Sequence, residues 1–385
     1  MTGEGALSVF ARARELEQQG RSIIHLELGE PDFHPPAPVL EAAKQALDEG
    51  KDRYCAVQGV PALRQEIAAY LGRTRGLQVS SDNIVIAPGC KLALFFALMA
   101  LLEPGDQVLY PDPGFPGYAS ITLGLGGVPV LFELSERNGL QPDADEVAAK
   151  ITPRTRILIT NSPGNPTGTV YSDSVQRRLA ELAVGHDLLV LSDEIYARVV
   201  YGSEYVSMLT YPGMEERTLI LDGFSKSFAM TGWRLGYTVA PAHIVPALNM
   251  LTVNSYTCVA EFTQYAAVEA LRDSTGATPR MVGEFSKRRA QFVRDLNRVP
   301  GFRCAAPDGA FYAWVNITAT GLTAEQICHM MLEDAGVAAI AGSAFGPSGR
   351  DFVRFSFAAS TAHLQEAVER IIRVSTAWQG AQVGR

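Results

Sequence analysis

The sequence predicts an α/β fold, with a large domain built on a mainly parallel sheet between helices and a smaller α+β domain after it. Six short apolar, β-prone runs between residues 83 and 224 alternate with helix-like stretches. Such alternation requires crossover connections, which cover both faces of a parallel sheet. From about Thr278 the order changes to a long polar helix followed by mixed strands and helices.

Each element has its own pattern. The stretches "APVLEAAKQALDEG" and "VPALRQEIAAYL" place apolar residues at helical spacing, and Pro61 suits the first turn of the second helix. The strand runs are "NIVIAP", "DQVLYP", "VPVLFEL", "TRILITN", "LLVLSDE" and "TLILDGF", with helices predicted at "KLALFFALMALL" and "SVQRRLAELAVGHD". Beyond Thr278 the same criteria predict a helix at "RMVGEFSKRRAQFVRDLNRV", a strand at "GAFYAWVNI", a helix at "TAEQICHMMLEDAG", a strand at "FVRFSFA" and a closing helix after Ser360.

Composition limits the function classes. The 385 residues are 47% hydrophobic and carry a formal charge of -8 without a run of Lys or Arg, which disfavours nucleic-acid binding and favours a small-molecule partner. The N-terminal stretch has no leader pattern and no segment is long and apolar enough for a membrane, so we expect a cytoplasmic protein. Five scattered cysteines without CxxC spacing predict neither disulfides nor a metal site.

Ligands of open α/β sheets bind beyond the carboxyl ends of the strands, so the residues after each run matter most. Gly89, Cys90 and Lys91 lie between a strand and an apolar helix, where backbone N–H groups favour a phosphate, although an ordinary glycine turn is an alternative. Phe115 is framed by prolines in "LYPDPGFPGY" and either stacks on a flat ligand or packs into the core.

Further polar residues follow the next strands. Asn165 lies in the rigid loop "NSPGNPTG", and "LVLSDEIY" ends with Asp193 and Tyr196. A helix N-cap is the alternative role for Asp193. Lys226, flanked by Ser225, follows "TLILDGF" directly. Each of these groups therefore lies at a predicted strand end, where it is able to contact a ligand.

Arg234 completes this set eight residues after Lys226. A phosphorylated, flat, pyridine-type aldehyde needs every group in it. The phosphate requires a cation and N–H donors, the ring requires stacking, the ring nitrogen a carboxylate, the phenolic oxygen a phenol and an amide, and the aldehyde a lysine amine.

The motifs "NSPGNPTG", "SDEIY" and "SKSFAMTGWRLGY", in this order, resemble those of the class I/II pyridoxal-phosphate-dependent aminotransferases of fold type I, the aspartate aminotransferase family. The resemblance extends from "LELGEPDFHPP" to "VRFSFA". It implies a seven-stranded sheet, pyridoxal 5'-phosphate as cofactor, and ping-pong transfer of an amino group between an L-amino acid and a 2-oxo acid.

The resemblance also implies roles for single residues. Lys226 would bind the cofactor as a Schiff base and Arg234 its phosphate. Asp193 would pair with the ring nitrogen, while Tyr196 and Asn165 would bond the phenolic oxygen. Phe115 takes the place of the stacking aromatic residue.

The phosphate contacts are similar to the family's in part. Gly89, Cys90 and Lys91 match the segment that normally supplies backbone and hydroxyl contacts, and Ser225 adds a hydroxyl. Two positions depart from the pattern: Gly223 stands where many relatives have a phosphate-binding serine, and Cys90 where a small residue or hydroxyl is common. Both departures weaken the phosphate site without removing its cation.

Three more residues carry implied roles. Arg354 in "VRFSFA" resembles the arginine that binds the substrate α-carboxylate, and Gly29 the glycine whose backbone lines the same pocket. Tyr54 resembles the tyrosine that reaches the phosphate in the neighbouring subunit, which implies a homodimer with shared sites. We expect residues 1–45 to join the small domain, 46–285 to form the cofactor-binding domain and 286–385 the small C-terminal domain.

Two questions stay open at this stage. The same scaffold hosts lyases, cyclases and other specialised amino-acid enzymes that use the same cofactor. The substrate side chain is also undefined, and Lys91 is a candidate cation for an acidic substrate. We expect the stretch "NSYTCVAEFTQY", with Phe33 and His34, to shape the side-chain pocket. Tyr256 and Tyr312 either contribute to this pocket or have a structural role, which is helix entry for Tyr256 and core packing for Tyr312.

Overall fold

The computed structural model describes residues 5–202 and 205–380. The helices are α1 (Gly5–Gln18), α2 (Ala37–Asp48), α3 (Pro61–Arg75), α4 (Cys90–Leu101), α5 (Gly117–Gly124), α6 (Ala144–Lys150), α7 (Asp173–Gly185), α8 (Val245–Val253), α9 (Glu261–Arg272), α10 (Ala277–Leu296), α11 (Ala324–Ala335) and α12 (Thr361–Gly380). The strands are β1 (Ile24–His25), β2 (Ile84–Ala87), β3 (Gln107–Asp112), β4 (Val128–Glu133), β5 (Thr155–Asn161), β6 (Leu189–Asp193), β7 (Thr218–Gly223), β8 (Gly236–Val239), β9 (Arg303–Cys304), β10 (Tyr312–Asn316), β11 (Val337–Ala338), β12 (Ile340–Ala341) and β13 (Phe352–Ser356).

The largest sheet has seven strands in the order β2-β8-β7-β6-β5-β3-β4. Strands β3 to β7 pair in parallel, whereas β8 is antiparallel to both β7 and β2. Strands β2 and β7 are buried along their whole length, which explains why they are continuous apolar runs rather than alternating ones. The predicted fold class, with a mainly parallel seven-stranded sheet, is confirmed.

Helices cover both faces of this sheet. Ile84 and Ile86 pack with α2, α3 and α9 on one face, whereas Val85 and Ala87 pack with α4 and α8 on the other. The alternation follows from the two-residue period of a strand, which sends successive side chains to opposite faces. Burial on both faces holds the carboxyl ends of the central strands in fixed positions.

A second sheet lies beside the first and is antiparallel, in the order β12-β13-β10-β9. A separate parallel pair joins β1 to β11. Helices α10, α11 and α12 contribute to the core of this region, which also includes Ile195 and Tyr196 from the loop after β6. The two regions therefore share part of one hydrophobic core.

Strand β8 is the strand of the seven-stranded sheet that sequence reasoning missed. It has four residues, begins with glycine and follows two residues after the 3₁₀ turn Thr231–Trp233. The second half of the stretch "NSYTCVAEFTQY" begins helix α9, and two of its residues, Phe262 and Thr263, line a groove together with Phe33 and His34. None of the described helices is both long and apolar enough to cross a membrane.

Candidate active site

A cavity of about 290 Å³ lies at the carboxyl ends of β5, β6 and β7, against the second sheet. Most of the residues singled out in the sequence line it: Gly29, Cys90, Lys91, Phe115, Asn165, Asp193, Tyr196, Ser225, Lys226, Arg234 and Arg354. The position agrees with the rule that open α/β sheets bind ligands beyond their strand ends.

Lys226 follows β7 and reaches into the cavity, where its ammonium group donates a hydrogen bond to the Gly29 carbonyl oxygen. Burial lowers the pKa of Lys226 to about 8, and the guanidinium groups of Arg354 and Arg234 act in the same direction. The carboxylate of Glu30 opposes them. An amine with this pKa is far more available as a nucleophile or base near neutral pH than an ordinary lysine.

Asp193 ends strand β6, which pairs with β7, and lines the same cavity. Its carboxylate accepts a 2.7 Å hydrogen bond from the Tyr118 hydroxyl and a 3.3 Å bond from the Ile195 N–H. Burial nevertheless raises the pKa of Asp193 to about 6. A desolvated carboxylate of this kind favours a protonated nitrogen as its partner.

Helix α4 begins at one edge of the cavity, where Gly89 has a φ of 86°. A Cβ atom at Gly89 would lie 2.5 Å from Nη2 of Arg234, and one at Gly236 would lie 2.5 Å from the backbone nitrogen of Cys90. The two glycines therefore allow the guanidinium group to approach the first turn of α4. A cation beside free helix N–H groups is suited to bind a phosphate.

The structure also explains the glycine at position 223. Gly223 pairs with Gly236 across β7 and β8, and a Cβ atom at Gly223 would lie 2.9 Å from the Cα of Gly236. A serine there would push the two strands apart. Cys90 is half-buried, and burial raises the pKa of its thiol well above the usual range, so the thiol stays protonated.

Phe115 lines the cavity with its ring half-buried. The ring packs edge-on against Tyr118 at a centroid distance of 5.5 Å, and Nζ of Lys91 lies 5.5 Å from the Phe115 centroid. One face of the cavity is thus aromatic with a cation nearby.

Arg354 comes from β13 of the second sheet and closes the cavity from the other side. Its Nη1 donates a 3.0 Å hydrogen bond to Oδ1 of Asn165, and its Nη2 donates to the Glu27 carbonyl oxygen. The loop that carries Asn165 is fixed by a 2.8 Å hydrogen bond from the Asn165 N–H to Oδ1 of Asn161. The two sheets thereby meet through the Arg354–Asn165 contact.

The two tyrosines Tyr196 and Tyr312 contact each other through hydroxyl oxygens 2.6 Å apart. Of the residues whose role stayed open, Tyr312 lines the cavity, whereas the hydroxyl of Tyr256 donates to the Ile86 carbonyl oxygen at 3.0 Å. Phe33 and His34 line a neighbouring groove.

The cavity residues that were not identified from the sequence include the amide Asn161 and the aromatic residues Tyr118 and Phe345. Asn161 is the last residue of β5 and could have been found by the strand-end rule. Tyr118 lies in helix α5 and Phe345 in a 3₁₀ turn, where an aromatic residue is no signal of a site. Tyr54, by contrast, is predicted but lies outside the cavity lining, with its side chain 86% exposed.

The comparisons with known proteins agree with this geometry. Residues 21–371 match the family described as "Aminotransferase class I and II". The chain is 40% identical over 352 residues to the putative aminotransferase YugH of Bacillus subtilis, covering 91% of each chain. It is 38% identical to an aspartate aminotransferase of Pyrococcus horikoshii, covering 94% of this chain and 92% of the relative.

Solved structures give the same result. An aspartate aminotransferase from Rhizobium meliloti superposes with a TM-score of 0.94 at 36% identity, covering 98% of this chain and 97% of that one. The aspartate aminotransferase from Thermus thermophilus with maleate superposes with a TM-score of 0.92 at 37% identity, covering 97% of both chains. The chain therefore belongs to the class I and II aminotransferase family and has its fold.

Proposed function

We propose that this aminotransferase uses pyridoxal 5'-phosphate, bound at Lys226, to move an amino group between an L-amino acid and a 2-oxo acid in two half-reactions. The observation that carries the proposal is the pair formed by Lys226 and Asp193. Lys226, with its lowered pKa, and the buried carboxylate of Asp193 line the same cavity. A ring that carries both an aldehyde and a pyridinium nitrogen requires such a pair, the amine for the aldehyde and the carboxylate for the nitrogen.

The residues around the cavity fit each part of that cofactor. The phosphate would lie at the first turn of α4, where Gly89 leaves room for Arg234 and where Ser225 and Lys91 are close. The ring would lie against Phe115, with Asp193 at its nitrogen. Tyr196 and Asn165 would donate hydrogen bonds to its phenolic oxygen.

The cofactor supplies an electron sink for the pair of electrons left when the substrate Cα–H bond breaks. Lys226 would take and hold the Cα proton on Nζ, because its lowered pKa keeps part of the amine unprotonated at neutral pH. Asp193 would hold the ring nitrogen protonated, and Tyr118 orients Asp193.

Arg354 would bind the substrate α-carboxylate bidentately. Its hydrogen bonds to Asn165 and to the Glu27 carbonyl oxygen fix the guanidinium plane before substrate arrives. Anchoring the carboxylate orients the Cα–H bond toward Nζ of Lys226, and this geometry selects proton loss over other bond cleavages.

The test begins with the spectrum of the purified protein supplied with pyridoxal 5'-phosphate. Lys226→Ala should lose the visible absorption of the lysine-bound cofactor and reduce amino transfer by about 10⁴-fold. Borohydride reduction followed by mass spectrometry should locate the label on Lys226 in the wild-type protein and in the control variant Lys91→Ala. A label on another lysine, or none, would contradict the proposal.

A screen of acidic, aromatic and basic amino acids should convert the cofactor to its amine form and yield the matching 2-oxo acid. The side chain of the best substrate also tests Lys91 as a partner for an acidic group, because Lys91 lines the cavity. Release of ammonia or of a cyclised product in place of conversion would indicate a lyase or cyclase on the same fold.

We further propose a homodimer in which Tyr54 reaches the cofactor phosphate of the other subunit. The exposed position of Tyr54, outside the cavity of its own chain, supports this arrangement. We also retain the division into residues 1–45, 46–285 and 286–385, because the second sheet, with β9, β10, β12 and β13, falls within the last range.

A further inference from the structure

Tyr312 lies on β10, on the wall of the cavity formed by the second sheet. Its side chain is 1% exposed, and its hydroxyl is 2.6 Å from the hydroxyl of Tyr196. The two rings meet edge-on, with an interplanar angle of 78° and centroids 5.7 Å apart. A contact this short between two buried phenols is a hydrogen bond and not simple packing.

The space for the Tyr312 hydroxyl exists because residue 29 is glycine. A Cβ atom at Gly29 would lie 2.0 Å from the hydroxyl oxygen of Tyr312. The carbonyl oxygen of the same glycine accepts the hydrogen bond from Lys226. The Tyr312 hydroxyl is therefore enclosed between Gly29 and Tyr196, beside the reactive lysine.

The ring of Tyr312 has a second contact. The guanidinium carbon of Arg354 lies 4.4 Å from the ring centroid, within the range of a cation–π interaction. Phe345 flanks the same guanidinium at 4.8 Å. One side chain thus contacts both the arginine proposed to bind the substrate carboxylate and the tyrosine proposed to bind the cofactor.

The number of protons and lone pairs on the Tyr196 and Tyr312 hydroxyls determines which hydroxyl donates to the other once a ligand is present. A phenol has one proton and two lone pairs. Among the described residues, neither hydroxyl makes another hydrogen bond to the protein. If Tyr312 donates to Tyr196, the proton of Tyr196 remains available for an acceptor in the cavity. The hydrogen bond from Tyr312 then strengthens the bond that Tyr196 donates to that acceptor.

Burial raises the pKa of both phenols above the usual value, so both keep their protons in the working range of pH. The charged groups that face the pair are Arg354 from β13, Asp193 from the end of β6 and Lys226 after β7. Arg234 and Lys91 line the same cavity.

We propose that Tyr312 is a positioning residue of this enzyme: its hydroxyl donates to Tyr196 and thereby strengthens the bond from Tyr196 to the phenolic oxygen of the cofactor, while its ring supports Arg354. This inference rests on the proposed function. It assigns the contact with Tyr196 to the hydroxyl of Tyr312 and the support of Arg354 to its ring, and separate variants can test the two roles.

The experiment follows the visible absorbance of the lysine-bound cofactor as a function of pH. A hydrogen bond to the phenolate oxygen stabilises the deprotonated form and lowers the midpoint of this titration. Tyr312→Phe should therefore raise the midpoint by roughly 0.5 pH unit, and Tyr196→Phe should raise it further. Because Tyr312 acts through Tyr196, adding Tyr312→Phe to Tyr196→Phe should cause no additional shift.

The ring is tested by steady-state kinetics. Tyr312→Phe keeps the ring beneath Arg354 and should leave the KM for the amino acid unchanged, whereas Tyr312→Leu removes the ring and should raise KM. Tyr201→Phe is the matched control, because it deletes another buried phenol hydroxyl from the same core, one that donates to the Ala310 carbonyl oxygen at 2.5 Å. It should lower stability without moving the spectral midpoint.

The outcomes separate this inference from the function on which it rests. Suppose that the wild-type protein shows the absorption band. If Tyr312→Phe does not move the titration midpoint, or moves it by the same amount with and without Tyr196→Phe, the inference alone is overturned. A wild-type protein with no such band overturns the proposed function and the inference together.

Discussion

The Tyr118 hydroxyl helps Asp193 to stay ionised, and an ionised Asp193 can pair with a positively charged group. Burial alone would favour a neutral Asp193, and the 2.7 Å bond from Tyr118 acts against it by stabilising the carboxylate. The tyrosine itself is fully buried, and burial raises the pKa of its phenol well above the usual range, so it remains a donor. The proposed pairing with a ring nitrogen depends on this bond.

We expect Tyr118→Phe to raise the pKa of Asp193 above its present value of about 6, because the charged form loses a donor while the burial stays. The neutral acid then persists to higher pH. The acid limb of the kcat/KM profile should move upward by about one pH unit, so kcat/KM should fall about twofold at pH 7 and about tenfold near pH 5. If the acid limb of the Tyr118→Phe variant is unchanged, and circular dichroism shows that the variant is folded, this role of Tyr118 is contradicted.

The difference between Lys226 and Tyr118 shows what a sequence can reveal about a site. Lys226 and Asp193 are predictable because they follow apolar strand runs, and the fold rule places strand ends at the ligand. Tyr118 and Tyr312 lie inside a helix and a strand, where an aromatic residue is typical of a core. Their partners are 75 and 116 residues away along the chain, a distance that no local pattern encodes.

At the scale of elements, strands β6 and β7 are joined behind the cavity by a buried ion network. Arg75, the last residue of α3, contacts Glu194 at 2.6 Å and also pairs with Asp222. Glu194 directly follows Asp193, and Asp222 precedes Lys226 by four residues. The Tyr237 hydroxyl on β8 donates a further 2.9 Å bond to Asp222. The ends of three strands are thereby held by one arginine.

Replacing Arg75 by methionine would leave the carboxylates of Glu194 and Asp222 buried without their cation. Removal of one partner from a buried ion pair costs about 3–5 kcal/mol. We expect Arg75→Met to lower the free energy of unfolding by about that amount in chemical denaturation of the cofactor-free protein. Arg73→Met is the control, since Arg73 is 52% exposed and pairs with Glu66 on the surface, and it should change stability by less than about 1 kcal/mol. Equal effects of the two changes would refute this role for the network.

The elements themselves were predicted to different degrees, for physical reasons. Long amphipathic helices such as α2 and α10 and continuous apolar strands such as β7 follow from periodicity. Strand β8 did not, because four residues that begin with glycine give too short a pattern, and because its antiparallel pairing depends on β2 and β7 lying on either side. Tertiary pairing, not local propensity, creates that strand.

At the scale of the whole molecule, the cavity is formed by two sheets that contribute different groups. The seven-stranded sheet brings the lysine and the carboxylate, and the antiparallel sheet brings Arg354 and Tyr312. The Arg354–Asn165 bond crosses between them at 3.0 Å. A shift of one sheet against the other would therefore disturb the Arg354–Asn165 and Tyr312–Tyr196 contacts together.

The proposed homodimer with shared sites predicts that two damaged chains can restore one another. In a mixed dimer, the chain with Lys226→Ala supplies an intact Tyr54, and the chain with Tyr54→Ala supplies an intact Lys226. One of the two sites then has both residues, so co-expressed and separately tagged chains should give mixed dimers with about half of the wild-type kcat. Homodimers of Lys226→Ala should be inactive, and homodimers of Tyr54→Ala should bind the cofactor more weakly. If Tyr54 served the cavity of its own chain, the intact residues would never meet, and the mixed dimer would have no more activity per Lys226 than the Tyr54→Ala homodimer.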